Sequence, residues 1–316
     1  MGEAWTLGRL RLLDGNGGAM ELTQDILQPY LEIENERSIR PANEYTKDVI
    51  DRTVYTEQIQ GVELPWGSPD KFRLRNGECT ILAGINSAGK SLVAGQILLN
   101  AMEQGERCLS VSLEMSPVAQ LSRMVRQTSL QLHPTMEFVM GFGFWSKERL
   151  YFFDKMGSVD LTTLMASIRY SLDHYGTKFI LIDSLMTISG IANDDYTGQK
   201  KVVCDIADAC RELDIHCILV CHARKSGSIR DRLDRFSIRG AGELADRVDN
   251  VLLLGRYYPT NAEDADAYLS ISKARHWDMA EQDFDLYLDL ASLNLVEEHQ
   301  KPRKINMDDD SWVHNS

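Results

Sequence analysis

The 316-residue chain is short of several things, and each shortage closes off a class of protein. No uninterrupted apolar run approaches the ~20 residues that a membrane-crossing helix needs, so no membrane is expected among its partners. None of the six cysteines, at 79, 108, 204, 210, 217 and 221, forms a C-x-x-C pair. Most fall inside apolar segments, which suits reduced thiols of an intracellular protein and makes zinc a poor expectation. No basic stretch followed by an apolar one opens the chain, so a secretory leader is not expected. The hexapeptide Met1-Gly2-Glu3-Ala4-Trp5-Thr6 fits an acylation pattern on paper, but no second membrane signal stands beside it, and chance explains the match. Positive charge is also scarce: 34 basic residues face 47 acidic ones, for a net charge of −13. That balance argues against nucleic acid wrapped over the whole surface, though not against a local basic site.

What is present is apolar content of 43%, ample for a core, in a length that suits one large α/β domain with a small appendage. Residues 1–60 are expected to form the appendage. Thr23 to Leu31 suits a short helix, and Arg40-Pro41 a break. A polar helix over 43–60 carries only Val49, Ile50, Val54 and Ile59, too few for its own core, so it needs a partner surface. Pro65-Trp66-Gly67-Ser68-Pro69 marks a turn-rich boundary. From about residue 72, apolar strands at 79–83, 108–113, 150–153, 178–183, 215–221 and 249–254 alternate with amphipathic helices. Such alternation means a mostly parallel central sheet flanked by helices. After 266 the rhythm changes to two edge strands, around 268–272 and 284–290. The nucleotide domain is thus expected over 61–300, and an acidic flexible tail over 301–316, with Asp308-Asp309-Asp310-Ser311-Trp312 near its end.

The stretch Gly84-Ile85-Asn86-Ser87-Ala88-Gly89-Lys90-Ser91 follows the first of these strands and opens a helix. The spacing G-x-x-x-x-G-K-[ST] in that setting is a phosphate-binding loop. Its glycines let backbone N–H groups turn inward around phosphate oxygens at a helix N-terminus. Lys90 is expected to reach the β- and γ-phosphates, and the Ser91 hydroxyl to ligate Mg²⁺. The implied ligand is ATP or another nucleoside triphosphate.

Four further positions suit the chemistry of such a site. Asp183 ends the apolar run Phe179-Ile180-Leu181-Ile182, where a metal-side carboxylate or a helix-capping one would stand. Glu114 lies just past the strand 108–113, as a base holding water or as a solvated helix-start acid. His222 ends another strand at the same expected edge and could touch a γ-phosphate or be structural. Lys273 and Arg275 share one face of an extended segment, as a phosphate clamp or a solvated edge strand would place them. Residues 223–240 carry Arg224, Lys225, Arg230, Arg232, Arg235 and Arg239 against only Asp231 and Asp234, a cationic cluster inside an acidic chain.

Taken together, the loop, Ser112-Leu113-Glu114-Met115, Leu181-Ile182-Asp183-Ser184, Val220-Cys221-His222-Ala223-Arg224-Lys225, Arg239-Gly240-Ala241-Gly242 and Lys273-Ala274-Arg275 stand in an order that resembles the DnaB-like hexameric replicative helicases. The likeness covers roughly residues 60–297 and is strongest to the helicase half of phage primase–helicases and the mitochondrial helicase Twinkle. It implies a RecA-like P-loop NTPase core. By resemblance, Glu114 is the catalytic glutamate, Asp183 the metal-side aspartate and His222 the sensor of the γ-phosphate. Arg275, helped by Lys273, is the cation inserted into an adjacent subunit's site, and Arg256 stands near the nucleobase. Gly84, Asn86, Ser87, Ala88, Gly89, Lys90 and Ser91 hold the nucleotide. Loops over about 224–238 and at Arg239, Gly240 and Gly242 hold single-stranded DNA. The resemblance further implies a hexameric ring, 5′→3′ movement, a primase or replicative polymerase as partner, and the cytoplasm as compartment, the host's if a phage encodes the chain. A full primase module is missing, and residues 1–60 resemble the end of one plus a linker helix that latches neighbouring subunits. Two rival readings keep the nucleotide site: a RecA-like DNA-dependent ATPase acting in recombination or as a loader, and a nucleotide-switched interaction protein.

Overall fold

The computed structural model describes residues 11–13, 19–21, 41–53, 61–67, 72–188, 196–223, 232–234, 237–238, 242–258, 261, 264–276, 281–297 and 300–307. The chain forms two compact units, Met1–Ile59 and Gln60–Ser316.

In the first unit, β1 (Arg11–Leu13) pairs antiparallel with β2 (Ala19–Glu21), a hairpin that the sequence pattern did not announce. Pro41 precedes a 3₁₀ turn, Ala42–Tyr45, which leads into α1 (Thr46–Thr53). Tyr45, Val49 and Ile50 are exposed. The helix expected over 43–60 is therefore a turn plus a short helix, with 54–60 outside the described residues. The helix expected over 23–31 also lies outside them.

The second unit is built on a nine-stranded sheet in the order β11-β10-β9-β8-β3-β7-β6-β4-β5. Strands β3 (Cys79–Gly84), β4 (Cys108–Ser112), β5 (Leu150–Phe152), β6 (Phe179–Asp183), β7 (His216–His222) and β8 (Asn250–Arg256) run parallel. Then β9 (Ala267–Ala274), β10 (Gln282–Asp289) and β11 (Asn294–Glu297) continue it antiparallel. Every residue of β3, β4 and β6 is buried, which is why these strands read as unbroken apolar runs rather than alternating ones.

Alternation survives in which face each residue serves. Leu82, Leu181, Val220 and Leu252 join the core beneath α2 (Lys90–Glu103), α3 (Pro117–Ser129) and α4 (Met136–Ser146). Ile81, Ala83, Ile182, Leu219 and Val251 join the opposite core beneath α5 (Leu161–Tyr175), α6 (Tyr196–Leu213) and α7 (Gly242–Arg247). Helix starts follow local chemistry. Ser116 caps α3 by accepting from the Ala119 N–H with Pro117 behind it, and Asp160 caps α5 through Thr163 N–H.

Val62, Leu64, Trp66, Phe72 and Leu74 are buried in the first of these cores, so the turn-rich stretch near 65–69 sits against the domain it precedes. Strand β11 is pinned from α2: Gln96 bonds both the N–H and the C=O of Leu295, and Trp66 Nε1 donates to the same carbonyl at 2.7 Å. Residues beyond it turn back to α2, where Arg303 meets Glu103 at 2.6 Å. The acidic stretch Asp308–Trp312 lies outside the described residues. Helix α4 is unusual in its exposed side: Met136, Val139, Met140 and Phe144 face outward. Among the described residues, no helix is long and apolar enough to cross a membrane.

Candidate nucleotide site and its cations

Strand register gathers the candidate residues at one edge. Gly84 ends β3 opposite His222 of β7, and Ser112 ends β4 opposite Asp183 of β6. All four therefore stand at the C-terminal ends of parallel strands, where ligands of open α/β sheets bind. Between β3 and α2 the loop turns on Ser87 at φ 63 and on Gly89 at φ 97, the N-cap of α2. Gly84 tolerates no side chain, because a Cβ there would meet the Leu254 carbonyl oxygen at 2.6 Å.

Lys90 is buried at the head of α2. Its ammonium donates to the carbonyls of Gly84 and Ile85, both at 3.0 Å, and approaches His222 Nδ1 at 3.4 Å. Burial lowers the Lys90 pKa, against the opposing pull of the Asp183 and Glu114 charges. The Ser91 hydroxyl donates to Asp183 Oδ2 at 2.9 Å. Burial raises the Asp183 pKa, while the Ser91 bond works the other way. Ser184 Oγ donates to Glu114 Oε1 at 2.9 Å and ties that exposed carboxylate to the end of β6.

Two hard oxygen donors at hydrogen-bond distance, Ser91 Oγ and Asp183 Oδ2, fit Mg²⁺ better than any softer metal. Among the described residues no group of three or more His, Cys, Asp or Glu could hold a metal alone. A cation here needs phosphate oxygens and water to complete its shell, the usual habit of Mg²⁺. Arg256, at the end of β8, donates to Ser87 O at 3.4 Å and so stands beside the loop.

The chain leaves the sheet edge at Ala223, whose N–H donates to Gly84 O at 2.9 Å, and returns at Ile238, which bridges antiparallel to Ala223. The cationic stretch is thus rooted directly beside the phosphate loop. Within it Arg232 lies 4.5 Å over the Tyr268 ring and meets Asp283 at 2.8 Å, while Leu233 N–H donates to Tyr268 Oη at 2.7 Å. Gly242 begins α7. Arg224, Lys225, Arg230, Arg235, Arg239 and Gly240 lie outside the described residues.

Lys273 and Arg275 stand elsewhere. Ala274 pairs with Asn250 at the start of β8, and Arg275 N–H donates to Asp249 O, level with Cys79. Cys79 begins β3 and Gly84 ends it, so at ~3.3 Å per residue Arg275 sits about 16 Å of strand away from its own phosphate loop, at the opposite sheet edge. Lys273 Nζ caps the end of α7 through the carbonyls of Ala245 at 2.6 Å, Asp246 at 3.3 Å and Val248 at 3.0 Å.

The sequence model of the family described as "ATPase: KaiC" matches residues 70–287, a span that runs from before the loop to past Arg275. The chain belongs to the KaiC ATPase family. Two solved structures share its fold. One is a DnaB-like replicative helicase described with its interactions with primase, at TM-score 0.67 and 19% identity, covering 86% of this chain and 71% of that one. The other is a separate ATPase domain, at TM-score 0.70 and 19% identity, covering 82% of this chain and 99% of that one. At this identity the likeness is one of fold, and it places this KaiC-family ATPase on the RecA-like core that its motifs resemble.

Three residues of this KaiC-family site escaped the sequence reading. Ser184 follows the strand-end aspartate and holds Glu114. Asp249 precedes β8 and holds Arg275 at 3.2 Å. Tyr268 holds Leu233. Each acts through a contact across the sheet or between loops, and only the position of Ser184 beside Asp183 gave any signal in the sequence.

Proposed function

We propose that this KaiC-family ATPase is a ring-forming motor that couples nucleoside triphosphate hydrolysis to 5′→3′ movement on single-stranded DNA and to duplex unwinding. The observation that carries this reading is the position of Arg275, at the sheet edge opposite its own phosphate loop. A cation so placed serves a neighbouring copy's nucleotide rather than its own.

In this account the loop amides and Lys90 hold the β- and γ-phosphates. Ser91 and Asp183 hold Mg²⁺, whose charge offsets that of the phosphate oxygens when bound. Glu114, steadied by Ser184, orients the attacking water and takes its proton. His222, within 3.4 Å of Lys90, senses the γ-phosphate. Arg275 from the next copy meets the charge that develops as the bond breaks, with Lys273 fixing the segment that presents it. Loss of the γ-phosphate shifts His222 and, through the Ala223–Gly84 bond, the root of the cationic stretch. That stretch tracks DNA phosphates with little sequence preference. The exposed apolar stripe of α4 and the exposed Val49 and Ile50 of α1 support assembly of copies, in which a hexameric ring is the expected form. A primase or polymerase partner follows from the helicase likeness and belongs to the same proposal.

The test is strand displacement on a forked duplex with Mg²⁺ and nucleotide. Opening of the fork supports the motor, and a fork that never opens contradicts it. The family match itself favours a second reading, because it names an ATPase and not a helicase. A DNA-dependent ATPase acting in recombination or loading would form filaments or small oligomers, which native mass spectrometry with nucleotide separates from closed rings.

A further inference from the structure

We propose that Asp249 is the positioning residue for Arg275, an inference that rests on the reading of Arg275 as a cation acting on a neighbouring copy. The carboxylate of Asp249 is 1% exposed, at the start of β8. Oδ2 is fixed by the Cys79 N–H at 3.0 Å. Oδ1 faces three cationic or ionisable groups: Arg275 Nη1 at 3.2 Å, Arg211 Nη2 at 3.4 Å and His276 Nε2 at 3.5 Å. A buried carboxylate is tolerated only with such partners, so the cluster is interdependent.

Arg275 is gripped at a second point. Its other terminal nitrogen donates to the Asp246 carbonyl at 2.5 Å, at the end of α7. Its backbone N–H donates to Asp249 O at 2.8 Å, so the side chain and the backbone of Asp249 both fix the same residue. A guanidinium carries five N–H donors, and these two side-chain bonds use two of them. The Arg275 side chain is 37% exposed and lines a cleft of about 290 Å³ with Arg211, Arg247, Asp246 and His276. Asp249 therefore sets the direction of a cation whose remaining donors open toward a neighbour. A cation held in place before the reaction needs no reorganisation when charge develops, and misplacement by about 1 Å costs roughly 10²-fold in rate.

The experiment is complementation between copies of the full chain. Asp249→Asn keeps the shape and an acceptor for the Cys79 N–H but removes the charge. Alone it should lower turnover by about 10- to 100-fold while the KM for nucleotide stays within about threefold. Lys90→Ala, with a dead fuel site and an intact Arg275–Asp249 pair, should also be inactive alone. Mixed, the two should hydrolyse nucleotide well above the sum of their separate rates, because Lys90→Ala copies complete the sites of Asp249→Asn copies. A merely structural defect is not repaired in this way.

A parallel mixture of Arg275→Ala with Lys90→Ala separates the two layers of the argument. If that mixture gains nothing, the reading of Arg275 itself fails. If it gains and Asp249→Asn either turns over normally or is not rescued, the role of Asp249 alone is overturned. Should Asp249→Asn not fold, Asp249→Glu keeps the charge while moving the guanidinium and should be rescued likewise. If neither variant folds, the carboxylate is a structural element and the proposal is wrong.

Discussion

The Ser91 hydroxyl donates to Asp183 Oδ2 across 2.9 Å, joining the first turn of α2 to the end of β6. The bond favours the ionised carboxylate, yet burial outweighs it and leaves the Asp183 pKa raised. A carboxyl whose folded pKa exceeds its unfolded value, about 3.9, binds a proton more readily when folded. Its ionised form therefore weighs against folding at neutral pH, and that burden lifts as the pH falls through the interval between the two values.

Asp183→Asn should accordingly abolish hydrolysis while melting above the wild type at pH 7. The difference in Tm should shrink as the pH is lowered toward 4. Thermal scans of the two proteins across that range decide the matter; a variant that melts below the wild type at pH 7 contradicts the account of Asp183 as a desolvated acid.

Arg275→Ala should leave nucleotide affinity within about threefold and lower turnover by about 10³-fold, the scale of cations supplied in trans. Equilibrium binding of a labelled nucleotide, measured beside steady-state turnover, separates the two quantities. Normal turnover would remove Arg275 from the site.

How much of this could be read beforehand depended on where each element's partners lie. The parallel strands were legible to within two residues because burial on both faces writes them as apolar runs, as in Cys79–Gly84 and Phe179–Asp183. The edge strands β9 and β10 were legible for their alternation. Helix α4 was not, since Met136, Val139, Met140 and Phe144 are apolar yet exposed and leave no polar face to set a period. Strand β11 owes its place to Gln96 and Trp66, both far away in sequence. The phosphate loop, Asp183 and His222 could be placed at one edge because each ends an apolar run. The opposite position of Arg275 could not, because it follows from the antiparallel register of β9 on β8.

Gly255 gives a packing prediction. A Cβ there would meet Tyr268 Cζ at 2.0 Å. Gly255→Ala should destabilise the fold by about 1–3 kcal/mol and push Tyr268 off Leu233. Tyr268→Phe should cost about 1 kcal/mol, the worth of one hydrogen bond. Chemical denaturation measures both. Equal stability of Gly255→Ala and wild type would mean that Tyr268 does not lie over that glycine.

Arg232 is paired with Asp283 while it stacks on Tyr268, so a DNA phosphate has to compete for it. Asp283→Asn should tighten single-stranded DNA binding severalfold. Arg232→Ala should weaken binding and reduce the slope of log K against log salt by about 0.7, as for one lost phosphate contact. Salt titrations of fluorescence anisotropy follow both, and an unchanged slope for Arg232→Ala would place that residue off the DNA.

The central claim is that a working site needs two copies of the chain, and specific activity against protein concentration tests it most directly. Hydrolysis per chain should rise steeply across the concentration range in which light scattering reports assembly, and fall to a small residue below it. A specific rate that stays flat down to fully dissociated chains would contradict the account.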